Sequence, residues 1–75
     1  MGNELGEYIK TNRGDMSIRE AAKAVGLSHT RLGDIEKGVD RRTGKKTNPH
    51  PKTLKKIAHG LNLDYIKLMR LSNYI

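Results

Sequence analysis

The sequence predicts an all-α domain of five short helices, and three observations carry that expectation. Apolar residues recur at three- and four-residue spacing, no stretch alternates with period two for long enough to make a convincing strand, and start and stop signals divide the periodic stretches. At 75 residues the chain has room for one domain, residues 1–75, near the lower size at which a single apolar core holds without staples.

The first helix is expected from Glu4 to Arg13, with Asn3 as its N-cap, Leu5, Tyr8 and Ile9 on one face, and "RGD" ending it. The second starts at Ser17, where "SIRE" is a capping box: the Ser17 hydroxyl takes the Glu20 backbone N–H, and the Glu20 carboxylate reaches back to the Ser17 amide. Ile18, Ala21, Ala22 and Val25 then keep helical spacing, and the two small alanines let another helix approach closely. Gly26 supplies a left-handed stop, and Ser28 caps a third helix two positions later.

That third helix, "HTRLGDIEK", is apolar only at Leu32 and Ile35, so His29, Thr30, Arg31, Gly33, Asp34 and Lys37 are expected to face outward until Gly38 ends it. A stripe this thin leaves most of the helix surface for something other than the core. The basic stretch "RRTGKKTNPHP" follows, and then a fourth helix, "PKTLKKIAHGL", with Pro51 at or near its first position and Leu54, Ile57, Ala58 and Leu61 turned inward. Asp64 can cap a fifth, "YIKLMRL", expected to pack through Ile66, Met69 and Leu71. There is no internal repeat.

Charge is distributed unevenly. Residues 37–56 carry eight basic groups against Asp40 alone, while acids and bases cancel over the other 55 residues, so one segment holds the whole formal excess of +7. Such concentration is the footprint expected for a polyanion, although a solvated basic loop without a partner would look the same.

Several function classes drop out. With no cysteine there is neither a disulfide nor a thiolate metal site, and His29, His50 and His59 lack metal-ligand spacing, so neither metal nor cofactor is expected. No Ser/His/Asp set or pair of acids in an apolar pocket suggests an enzyme. A membrane span would need roughly 20 apolar residues, and "MGNELGEYIK" lacks a basic start followed by an apolar run, so a cytoplasmic location is expected. A nucleotide-cradling loop fails on spacing, since Gly38 and Gly44 are six apart, Lys46 stands where Ser or Thr is needed, and no strand precedes.

Two helices joined by a tight glycine-containing turn, the first ending "AVG" and the second starting "LSHT", form the arrangement in which a second helix can lie in a DNA major groove. Here the sequence resembles the phage repressor and Cro-like helix-turn-helix family, with the five-helix fold of lambda repressor. The resemblance rests on "LGEYIK" for the first helix, "SIREAAKAVGLSHTRLGDIEKG" for the motif and "NPHPKTLKKIAHGLNLDYIKLM" for the closing pair.

The resemblance implies sequence-specific binding of double-stranded DNA by a bacterial or phage transcriptional regulator, more often a repressor, nucleoid-associated when bound. It implies that Ser28, His29, Thr30, Arg31 and Asp34 face DNA. Arg31 suits a guanine edge or a phosphate, Thr30 a thymine methyl or a phosphate, and His29 a base edge or merely water. Asp34 can accept from cytosine N4 or serve a structural salt bridge, the second being expected because an acid near phosphates is unfavourable unless paired. Lys37, Arg41, Arg42, Lys45 and Lys46 are the expected phosphate contacts. The family also pairs an arginine late in the first helix with the glutamate of "IEKG", which here implies a partly buried ion pair of Arg13 and Glu36.

This chain departs from the family in three places. Ile18 stands where glutamine commonly bonds a phosphate, Gly33 and Asp34 stand where longer donors are usual, and the loop after Gly38 is several residues longer. That loop is expected to be free to move from Arg41 to Lys46 and to order on DNA. Family members usually bind palindromic sites as dimers. Leu71, Tyr74 and Ile75 could serve a homodimer or mark the point where a longer chain continues. An alternative of another class keeps this fold as an antitoxin or antirepressor-type module that holds a protein partner.

Overall fold

In the computed structural model, residues 4–75 are described, so the expected cap at Asn3 lies outside the described residues. Five helices run in order: α1 (Glu4–Arg13), α2 (Ile18–Val25), α3 (His29–Lys37), α4 (Pro51–Leu61) and α5 (Tyr65–Leu71). The architecture is all-α, as the periodicity predicts.

Local chemistry sets the helix ends. At α2 the Glu20 N–H donates to Ser17 Oγ at 3.1 Å, and the Ser17 N–H donates to Glu20 Oε1 at 2.9 Å. The bond from the Ser17 backbone N–H, with the Ser17 side chain adding to it, holds the Glu20 carboxyl below its usual pKa by favouring the ionised form. Gly26 stops α2 with φ 75°, and two hydrogen bonds close the end: Leu27 N–H to Ala22 O at 2.9 Å and Gly26 N–H to Lys23 O at 3.3 Å. That is a Schellman motif, and it folds Leu27 back against the core. The Ser28 hydroxyl then takes the Arg31 N–H at 3.1 Å, so α3 starts after a turn of only three residues.

At α4, Pro51 is the first helical residue, and the cap is His50, whose Nδ1 accepts the Lys52 N–H at 3.1 Å. Histidine had no assigned part in this start. Asp64 caps α5 through Oδ1, which accepts from the Ile66 N–H at 2.9 Å.

One core unites the five helices. Leu5, Ile9, Ala21, Ala22, Val25, Leu32, Ile35, Leu54, Ile57, Ala58 and Leu68 are buried, and Ile18, Leu27, Leu61 and Met69 pack around them. Each large aliphatic among them stabilises the fold by roughly 2 kcal/mol through its removal from water. Within α5 the expected Met69 and Leu71 pack against the core, but Ile66 does not, and Leu68 is the residue at its centre. Leu68 is fully buried and Ile66 is 50% exposed, because Tyr65, Leu68 and Met69 share one face at helical spacing and Ile66 falls outside it.

The α2 and α4 helices meet at a glycine. A Cβ on Gly60 would fall on the Ala24 carbonyl oxygen and 2.7 Å from Val25 Cα, both backbone atoms that cannot step aside. Gly60 is therefore in α4 for close packing, despite its poor helix propensity.

Between α3 and α4 the chain does not run free. Val39 and Lys46 form an antiparallel bridge, with Thr47 N–H bonded to Gly38 O at 3.0 Å and Asp40 N–H to Lys45 O at 2.8 Å. Gly44, at φ 71°, closes the tip by donating to Asp40 O at 2.7 Å. The expected open loop is thus a short hairpin of residues 38–47. A bridge this small has no period-two run to announce it in the sequence.

Candidate nucleic-acid interface

The α3 helix is held at two of its carboxylates. On the side of the helical body, Arg13 Nε donates to Glu36 Oε2 at 2.7 Å, Arg13 Nη2 to Glu36 Oε1 at 3.2 Å, and Arg13 Nη1 to the Met16 carbonyl at 2.7 Å. Both side chains are largely buried, and the hydrogen bond to Glu36 raises the Arg13 pKa above its usual value. This two-pronged bond fixes α3 on α1 with little freedom to rotate.

On the opposite side, Asp34 corrects the expectation that it faces DNA. It is 6% exposed and sits among Leu32 and Ile35, the helix's other buried residues. Its Oδ1 accepts from Arg41 Nε at 3.2 Å, across to the hairpin. Of the two roles weighed for Asp34, the salt bridge is the one present. A buried carboxylate needs such a partner, the more so in the last turn of a helix, where the dipole disfavours negative charge.

The first turns of α3 keep an open face. Ser28, His29 and Thr30 are exposed, and Arg31 and Gly33 are half-buried. Among the described residues the side chains of His29, Thr30, Arg31 and Lys37 form no hydrogen bond or ion pair; Arg31 is engaged only through its backbone N–H, by Ser28 Oγ. The first turn of α3 contains no acid, whereas α1 and α2 place Glu4, Glu7 and Glu20 at theirs. No carboxylate in its first turn offsets the positive end of the α3 dipole, which is also true of α4. Around Gly33 an added Cβ would meet nothing within 4 Å.

The cations of the hairpin divide into two sorts. Arg41 is engaged with Asp34. Arg42 lies 3.8 Å from Asp40 with its side chain 85% exposed, and Lys45 and Lys46 are exposed with no side-chain partner among the described residues. Ile18, in the place of the family's usual glutamine, packs against the core instead of offering a donor. The sequence suggested a salt bridge for Asp34 but not its partner, since Arg41 lies beyond the end of α3 in the lengthened loop.

Other chemistry finds no frame. Among the described residues no group of three His, Asp or Glu side chains gathers as a metal site, and no helix is long and apolar enough to cross a membrane.

Comparison with known proteins adds the following. A family model described as helix-turn-helix matches residues 7–68. The chain is 42% identical over 65 residues to the "ImmF control region 10 kDa protein" of Bacillus phage phi105, covering 84% of this chain and 64% of that relative. The chain thus spans less than two thirds of the length of the curated relative it matches. No solved structure is a significant match.

Proposed function

Because the chain belongs to the phage repressor and Cro-like helix-turn-helix family, we propose that it is a transcriptional regulator that binds double-stranded DNA. In this reading α3 enters the major groove, Ser28, His29, Thr30 and Arg31 meet bases and phosphates, and Lys37 and the hairpin lie on the adjacent backbone strand. The observation that carries it is the open, unpaired face of α3 at the end of a three-residue turn, next to the segment that holds the chain's entire charge excess. The phage relative, described as a control-region protein, supports a regulatory role; that the role is repression is part of the proposal. A homodimer on a palindromic site, with half-sites about one helical turn apart, would let one short recognition helix read enough base pairs.

Selection from a random duplex pool tests the reading. A defined site should emerge, and Arg31→Ala or His29→Ala should alter it; an equal preference for random duplex and RNA would leave only phosphate contact. Absence of duplex binding would turn attention to a protein partner for the same face.

A further inference from the structure

We propose that residues 38–47 form a braced second contact element, in which Arg41 is a positioning residue and the phosphate grip belongs to Arg42, Lys45 and Lys46. The inference rests on the reading of the chain as a duplex-DNA binder and refines what the basic segment does in it.

An isolated two-stranded hairpin is marginal in water, so the bridge between Val39 and Lys46 and its flanking bonds would not by themselves hold residues 39–46 in one place. What joins this hairpin to the recognition helix near its tip is Arg41. Its Nε lies 3.2 Å from Asp34 Oδ1, a carboxylate that α3 keeps 6% exposed and that needs a positive partner. Arg41 is thereby paired, although its side chain is 59% exposed. Its charge is already balanced by Asp34, so it adds little to the release of counterions from DNA.

The neighbours differ in just this respect. The Arg42 backbone N–H donates to Asp40 Oδ1 at 2.8 Å, which fixes the turn, whereas its guanidinium meets the same acid only at 3.8 Å, beyond hydrogen-bond reach, with the side chain 85% exposed. Lys45 and Lys46 are exposed on the returning strand. Bracing the hairpin on α3 sets these three cations at a fixed distance from the residues that would meet base edges. Less order then has to be created on binding, which raises affinity without a new contact.

Equilibrium binding of the whole chain to its selected duplex, measured over a range of salt, tests this. Arg42→Ala, Lys45→Ala and Lys46→Ala should each weaken binding and lower the salt slope by about one. Arg41→Ala should weaken binding by about fivefold with the slope unchanged; Asp34→Asn, which releases the Arg41 cation, should loosen the hairpin to the same extent, and the double variant should loosen it no more than either single one. In the free protein both should speed amide exchange at Asp40 and Thr47, whose N–H groups close the hairpin. A slope reduced by one in Arg41→Ala would make Arg41 an ordinary phosphate contact and overturn the proposal. So would additive loosening, or binding that ignores Arg41→Ala while the selected site is still recognised. Failure of the unsubstituted chain to bind any duplex would sink the underlying reading and this one together.

Discussion

Asp34 and Glu36 stand two residues apart on α3 and tie it to opposite sides of the molecule by different means. Glu36 receives two hydrogen bonds from Arg13, and both partners are largely enclosed by the helical body. Asp34 is as well buried, yet its partner Arg41 comes from the hairpin by one bond, with a side chain 59% exposed. In both pairs the acid is fixed and the cation brought to it, but only the first is shielded from water along its length. Shielding decides the stakes. Breaking an enclosed pair leaves a charge that water reaches poorly, whereas an exposed arginine simply hydrates.

The largest effect should therefore come on the body side. Arg13→Ala or Glu36→Ala should destabilise the fold by about 3 kcal/mol in chemical denaturation, while replacing both with apolar residues of similar volume should recover most of that loss. A single substitution costing no more than Asp34→Asn, which leaves Arg41 free to hydrate, would erase the contrast. Next in size is Gly60→Ala, which should cost roughly 2 kcal/mol by forcing α2 and α4 apart, although alanine is the better helix former. A gain in thermal stability there would show that the crossing yields more easily than its backbone contacts suggest. Smallest is Gly33→Ala on the open face of α3, expected to stabilise the free protein by about 1 kcal/mol, since no atom opposes the new methyl. If the DNA backbone comes close to Gly33, the same variant should bind its site more weakly while melting higher.

The unequal legibility of the two sides follows from the range of the signals. The capping box at Ser17 and Glu20, the stop at Gly26 and the caps at Ser28 and Asp64 each act within a few residues, so the sequence displays them whole. Resemblance to the family supplied Arg13 and Glu36, which lie 23 positions apart. Nothing comparable existed for Arg41 and Asp34, because the longer loop is where this chain leaves the family's spacing. Leu68 was passed over for Ile66 because a helix as short as α5 offers apolar residues on more than one face, and only the neighbouring helices choose between them. Gly60 was passed over for a similar reason: a close approach is a property of two helices, and one sequence stretch cannot announce it.

The tail bears on how the hairpin is mounted. Tyr74 Oη donates to the Pro49 carbonyl at 2.7 Å, and Pro49 itself is fully buried, so the strand that leaves the hairpin is clamped before α4 begins. The other strand is rooted in the end of α3, where the Gly38 N–H bonds to Asp34 O at 2.8 Å. In mechanical terms the hairpin is a cantilever fixed at both roots and propped near its tip by Arg41. Loosening the clamp at Tyr74 should tilt the beam as a whole, whereas removing the prop lets only the tip sway, so distance to the phosphates and freedom to find them can be tuned by separate residues.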